Sequence, residues 1–364
     1  MRWLDLRSSI GQLGVSGVVQ ETVAGTLVRA SSADGNARVY RSTDAGLTWS
    51  LRQTMTIPTG NITIRGSFID SRGHIYMGGR SGNCTYENYG SAFFGEIWKS
   101  IDDGAAWTKA CTSECEGFWH FAEDSTGRVY VNEYSATPPS GTEYPAVNIW
   151  RSDTAGANFA KWHTATKESS AGVRDGVRHI HTVHVDASDR VFAAYGDTGW
   201  TGDAGKVVRL NSSGVIDLDY GRFGNGSTAA IHNLSGMLMV GKDTNPSGVD
   251  ALNPTLALSC QQCNLFLLAG PRYDAYVFDL IRSNDDVLFG LAVLATRYNS
   301  IIYSTNEGAT WHAIDYGGTD HVQMSFNRFA PSGKVYISGG NVKTLVLPTK
   351  AVLNFRKPWY HPQE

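Results

Sequence analysis

The chain predicts an all-β protein: a seven-bladed β-propeller of four-stranded antiparallel blades, with residues 1–364 forming one domain. Three observations lead there. A nine-residue motif returns four times. A second pattern, two apolar strands around a tight turn, returns seven times at steps of 47 to 62 residues. The composition, with 40 Gly, 16 Tyr and 10 Trp, joins turn formers to aromatics suited to many short strands. Repeats of about fifty residues set the architecture of a whole chain.

The motif reads RSTDAGLTW at Arg41–Trp49, KSIDDGAAW at Lys99–Trp107, RSDTAGANF at Arg151–Phe159 and YSTNEGATW at Tyr303–Trp311. Its frame is Ser, Asp or Asn two residues on, Gly, and an aromatic three residues later. The third copy departs, with Thr154 in the Asp place. Ser42 and Asp44 can bond the backbone of a tight turn with short side chains. Gly46 can take the left-handed conformation that closes it, and Trp49 anchors it in apolar packing. The motif is thus a hairpin staple and not a catalytic signature.

The second pattern is clearest at Ser67–Gly79, His120–Tyr134, His184–Asp197, His232–Asp243 and Asn327–Gly340, and weaker at Thr22–Ala30 and Ile281–Ala292. Its turn residues are Gly25, Gly73, Gly127, Asp189, Gly236, Asp286 and Gly333. Each motif glycine follows a turn residue by 21 to 31 positions. In the fourth unit the register lands on LNSSG with Gly214. In the fifth it lands on SCQQCNLF, which has no glycine, and the seventh has no motif. Each unit therefore reads as four antiparallel strands, which is a propeller blade. Closing the blades into a ring removes exposed sheet edges. An N-terminal strand over Arg2–Arg7 is expected to complete the last blade, with Val352–Arg356 as the competitor. A tandem pair of smaller sandwiches is the other fold reading, and the steady phase of the repeats argues against it.

The motif resembles the Asp-box of the sialidase (bacterial neuraminidase repeat) superfamily. That resemblance covers nearly the whole chain and implies that ligands meet one face, around the central channel, with the Asp-boxes on the other. It selects the segments that enter the innermost strands. These carry Arg65, Trp119, His120, Arg178, His179, His181 and His321. Arg65, Trp119 and His181 each lie eight places before a turn residue, which predicts one tier on three neighbouring blades. Glu133, Tyr134, Tyr195 and Asp197 close the second strands of blades three and four. The Arg-Ile-Pro segment of true sialidases is missing: the nearest string is TIPTG, with Thr56 in the Arg place. The sialidase site is therefore not carried over.

Aromatics stack on sugar rings, and charged forks bind carboxylates. The expected function is a carbohydrate-active enzyme on an acidic polysaccharide, resembling the propeller lyases that act beside a uronate. His181 or His120 would take the proton next to the carboxylate. Tyr134 or Tyr195 would protonate the leaving oxygen, and Arg65 and Arg178 would hold the carboxylate. Trp119, His179 and His321 would line the substrate. A glycoside hydrolase is the enzymatic alternative, with Glu133 and Asp197 as its carboxylates. A non-catalytic glycan-binding or structural propeller, on a virion surface or in assembly, is the third reading, because fold alone excludes none of these. The competing structural reading of each histidine is a hydrogen-bonded filler of the channel.

The charge of −3 suggests neither a nucleic-acid face nor polyanion binding. No apolar run reaches membrane-spanning length. The N-terminal MRWLDLRSS lacks the apolar core of a secretory signal. An extracellular or virion-surface location is expected, with the cytoplasm as the alternative. Five cysteines fall as Cys111/Cys115, Cys260/Cys263 and a leftover Cys84. Local disulfides, reduced thiols and a zinc site all fit such spacings. No cofactor is expected, although His179 and His181 share one side of a strand and make a two-ligand metal pattern.

Overall fold

In the computed structural model the described residues are 11–33, 36–55, 62–81, 94–114, 116–135, 146–165, 177, 179–196, 206–222, 228–234, 237–242, 248–252, 263–264, 275–294, 298–308, 310–315, 324–326, 332–339, 343–350 and 353. Among the described residues the first strand is β1 (Gly11–Ser16), which pairs with a strand at the far end of the fold. The first sheet follows as β2 (Val18–Glu21), β3 (Leu27–Ala33), β4 (Asn36–Ser42) and β5 (Ser50–Met55). The second is β6 (Ile62–Ile69), β7 (Ile75–Ser81), β8 (Phe94–Ser100) and β9 (Thr108–Glu114). The third is β10 (Glu116–Glu123), β11 (Val129–Ser135), β12 (Val147–Ser152) and β13 (Ala160–Ala165). The fourth is β14 (His179–Val185), β15 (Val191–Gly196), β16 (Lys206–Leu210) and β17 (Ile216–Arg222).

The fifth sheet is β18 (Thr228–Leu234), β19 (Met237–Lys242), β20 (Gly248–Leu252) and β21 (Cys263–Asn264). The sixth is β22 (Ala275–Arg282), β23 (Leu288–Leu294), β24 (Tyr298–Ser304) and β25 (His312–Asp315). The last is β26 (Met324–Phe326), β27 (Tyr336–Gly339) and β28 (Lys343–Val346), and β1 pairs with β28 as its fourth strand. All of these pairings are antiparallel.

The expectation of a seven-bladed propeller of four-stranded blades is corrected here. Among the described residues, five sheets are regular blades of four consecutive strands, each strand four residues or longer. The fifth sheet keeps only a two-residue outer strand, and the last supplies only three consecutive strands of its own. The physical reason lies in the turns. The fifth unit lacks the glycine that closes the motif turn, and the last unit lacks the motif. The strand that completes the last sheet is Gly11–Ser16; Arg2–Arg7 lies outside the described residues.

The sheets close into a propeller. Inner strand packs on inner strand from β2 to β6, β10, β14, β18, β22 and β26, and β2 meets β27 to complete the ring. The strands near the axis are buried on both faces, as in β15, whereas outer strands such as β5 and β13 are largely exposed. Phe68, Tyr76 and Phe121 fill the space between the second and third sheets. Val19, Leu27 and Tyr336 do so where the ring closes.

The motif turns connect the third and fourth strands of a blade. Ser42 Oγ accepts the Gly46 amide at 2.8 Å, and Asp44 Oδ1 accepts the Thr48 amide at 2.9 Å. Trp49 Nε1 donates to the Gly46 carbonyl at 3.0 Å, and Gly46 has φ 90°, a value that favours glycine. The Thr48 hydroxyl and amide, with Ser42, hold the Asp44 carboxyl down to about 2. In the third copy Ser152 still accepts the Gly156 amide at 2.9 Å, although a hydroxyl replaces the carboxylate. Asp70, Asp124 and Asp186 shape the hairpin turns at the same end of the inner strands, each through paired backbone amides.

Cys111 carries a free thiol, which among the readings left open for the cysteines agrees with a reduced thiol at that residue. It sits on β9 with its side chain against the aromatic cluster of the second and third sheets. Cys84, Cys115 and Cys260 lie outside the described residues, as does the side chain of Cys263. No helix among the described residues is long and apolar enough to cross a membrane.

Candidate functional site

Five of the inner strands share an irregularity among the described residues, while β2 and β26 pair regularly. Pairing with the second strand slips by one residue at Arg65 in β6, around Trp119 and His120 in β10, at His181 in β14, at Ala229 in β18 and at Phe278 in β22. These are β-bulges, which re-aim side chains and recur beside functional sites. The bulged positions include the tier counted from the sequence: Arg65, Trp119 and His181.

The bulges bring six side chains together. The Arg65 guanidinium lies 5.9 Å from the Trp119 ring centroid. Trp119 meets Tyr134 edge-on at 4.2 Å and stacks on His120 at 5.8 Å. Tyr134 in turn stacks on His181 at 5.6 Å and 18°. His120 Nε2 stands 3.8 Å from Asp279 Oδ1. The two imidazoles are nearly buried, at 7% and 6% exposure, while Arg65, Trp119 and Tyr134 are half-buried above them.

Backbone contacts between blades hold this arrangement. His120 Nδ1 donates to the His181 carbonyl at 2.6 Å. Asn132 accepts the His120 amide at 3.0 Å and donates to the Ile180 carbonyl at 2.6 Å. Side chains of the third sheet thus take the two carbonyls at the bulge of β14. Gly66 approaches the Trp119 carbonyl so closely that a β carbon there would stand 1.7 Å from the oxygen.

Other expected site residues lie elsewhere. Glu133 is 1% exposed, and its carboxylate accepts from the Asn148 amide at 2.9 Å, from Asn148 Nδ2 at 2.7 Å and from Trp150 Nε1. Burial pushes its pKa up, and those hydrogen bonds oppose the rise. Tyr195 is equally buried, and its hydroxyl meets His163 Nε2 in the packing between the third and fourth sheets. Burial raises the Tyr195 pKa, with Asp219 adding to the rise. Neither side chain joins the Trp119–His120–Tyr134–His181 group. Arg178, Asp197 and His321 lie outside the described residues, as does the His179 side chain, while the His179 backbone pairs with Gly196.

Sequence reasoning missed Asp279 and Asn132. A signal for Asp279 existed: it lies seven places before Asp286, as His120 lies seven before Gly127. The two share one position in the repeat. Asn132 left no comparable signal, because a buried amide inside an apolar strand reads like any strand residue.

Toward the turns the inner strands enclose a cavity of about 370 Å³. Phe68, Phe121, Val183 and Ile281 form its apolar walls, with Glu123 and Arg282 among its polar groups.

No protein-family model and no curated protein matches this chain. Solved structures do resemble it in fold. A Hadza microbial sialidase, Hz136, is 13% identical over 88% of this chain and 75% of that one, with a TM-score of 0.54. A catalytically inactive variant of virginiamycin B lyase from Staphylococcus aureus, with quinupristin, is 10% identical over 93% of this chain and 99% of that one, also at 0.54. YCF48 bound to a peptide is 11% identical over 94% of each chain, at 0.51. At these identities the likeness shows a shared propeller fold.

Proposed function

We propose that the bulge cluster is the active site of a polysaccharide lyase acting beside a uronate carboxylate. The observation that carries this reading is the stack of His181 on Tyr134, with Trp119 and the Arg65 guanidinium completing one half-buried wall. An imidazole and a phenol within one ring-stacking distance make a base and acid pair. His181 takes the proton from the carbon next to the carboxylate. The electron pair of that bond forms a double bond to the adjacent carbon, whose bond to the glycosidic oxygen breaks. Tyr134 protonates the leaving oxygen. Arg65 holds the carboxylate and offsets the negative charge that builds on it, and Trp119 offers its face to a sugar ring.

The hydrolase alternative has less support, since it needs two carboxylates that open on the sugar. Glu133 is engaged by Asn148 and Trp150 and buried. A binding role finds support in the propeller neighbour that carries a peptide.

The test is absorbance of unsaturated ends from a panel of uronate polysaccharides, for wild type, His181→Ala and Tyr134→Phe. Product from wild type, reduced at least about a hundredfold in both variants, fits the reading. Reducing ends without unsaturation would move the assignment to a hydrolase. No product from any polysaccharide, with retained glycan or peptide binding, would make the protein a binding module.

A further inference from the structure

Asp279 and His120 share one position in the repeat but stand on the sixth and third sheets, which are not neighbours in the ring. They meet nonetheless, with His120 Nε2 at 3.8 Å from Asp279 Oδ1. Asp279 is 1% exposed. The other ring nitrogen, Nδ1, lies 2.6 Å from the His181 carbonyl oxygen. A carbonyl only accepts, so Nδ1 carries a hydrogen. In a neutral ring the lone pair then falls on Nε2, and Nε2 is the atom beside the carboxylate. A lone pair against a buried carboxylate is repulsive, whereas a proton on either partner turns the contact into an attraction.

We propose that Asp279 and His120 retain one proton between them, and that His120, held as an imidazolium, fixes the His181 carbonyl and so aims the reacting His181 ring. His120 and Asp279 are positioning residues that act through His181. The consequence for turnover rests on the elimination reading, but the retained proton does not. The strands packed on β10 bring other charged and titratable groups near: Arg65 of β6, Glu96 of β8, Glu133 and Tyr134 of β11, and His181 of β14. Of these, Glu96 is held by Lys109 at 2.6 Å and Trp98 at 2.9 Å, and Glu133 by Asn148 and Trp150. Asp279 Oδ1, the oxygen that meets the ring, also accepts the Leu280 amide at 2.9 Å, and β19, packed on β22, carries the buried Lys242.

The experiment is an NMR titration of the His120 ring, assigned with His120→Gln, in wild type and in Asp279→Asn. In wild type His120 stays protonated at least about one unit above the ordinary value near 6.5. In Asp279→Asn its apparent pKa falls by about one unit or more, a tenfold loss of proton affinity. The same variant is expected to lose more than about tenfold in kcat with little change in KM, as a misaligned base does. A wild-type His120 that titrates near its ordinary value, or identically in both proteins, overturns the proposal. If Asp279→Asn does not fold, the wild-type titration decides alone. A raised His120 pKa without unsaturated product from any polysaccharide keeps the pair and removes the elimination.

Discussion

Gly196 lies against the face of His181: a β carbon on Gly196 would stand 2.2 Å from ring atoms of the imidazole. Tyr134 stacks on the same ring from the neighbouring blade. The His181 ring thus packs against both a phenol and bare backbone. Gly196→Ala should push His181 out of the stack without removing a polar group. The expected outcome is a loss of turnover of more than about tenfold, with a stability cost of about 1–3 kcal/mol for the overpacking. A Gly196→Ala protein that keeps the wild-type His181 ring shifts in NMR would contradict this packing.

The repeats made the fold legible because its chemistry is local. Ser42, Asp44, Gly46 and Trp49 complete their bonds within one turn, so their spacing alone specifies a hairpin. The tier of Arg65, Trp119 and His181 was legible for the same reason, since its members keep a fixed count to a turn. Which side each residue takes was not legible. Glu133 and Tyr134 are adjacent, yet one bonds Asn148 within its own blade and the other faces His181. Successive strand residues point to opposite faces. In a propeller both faces are covered, so no apolar-polar alternation reveals which side faces the site. The side that Tyr195 takes, against His163, was illegible for the same reason. The equivalence of the blades failed at SCQQCNLF and in the last unit, where the turn chemistry itself is absent.

One carboxylate ties the first sheet to the last where the ring closes. Glu21 of the first sheet accepts from the Ser332 amide at 3.1 Å, the Ser332 hydroxyl at 2.6 Å and the Tyr336 hydroxyl at 3.0 Å, all from the last sheet. Glu123 accepts the Ser71 amide and hydroxyl in the same way between the second and third sheets, and Asp189 does so for Ser125. The Glu21 latch differs because it joins the two ends of the chain. Charge-assisted hydrogen bonds contribute about 1.5–3 kcal/mol each. Glu21→Gln keeps one acceptor and loses the charge, so it should lower global stability by about 2 kcal/mol. Hydrogen exchange should quicken first in β2 and β27. Loss spread evenly over all sheets would argue against a closing latch.

Cys111 should behave as a packing residue. Burial, with the Glu133 carboxylate as a second cause, pushes its thiol up to about 12. The thiolate is the reactive form. At pH 8, alkylation of Cys111 by iodoacetamide, followed by mass spectrometry of its peptide, should run at least about a hundredfold slower than that of free cysteine. Unfolding in urea should abolish the protection. Rapid labelling of the native protein would show that the second and third sheets do not enclose this thiol.

His163 gives the fold a pH dependence of known sign. Its Nδ1 donates to the Gly214 carbonyl at 2.7 Å, and its Nε2 meets the Tyr195 hydroxyl, so the neutral ring satisfies both partners. Burial lowers its pKa below the ordinary 6.5, and the bond to Gly214 only partly opposes this. The unfolded chain therefore binds the proton first. Stability from the neutral ring is fully present above about pH 6.5 and is lost as the pH falls through the lower folded value. Below pH 6.5 the slope from this one group reaches at most about 1.4 kcal/mol per pH unit. Other groups titrate there too, so the measurement is a difference. Urea unfolding of wild type and His163→Gln at pH 7.5, 6 and 5 should show the variant less stable at the highest pH, with the gap narrowing as acid is added. A gap that stays constant across that range would mean that His163 is not held neutral between the third and fourth sheets.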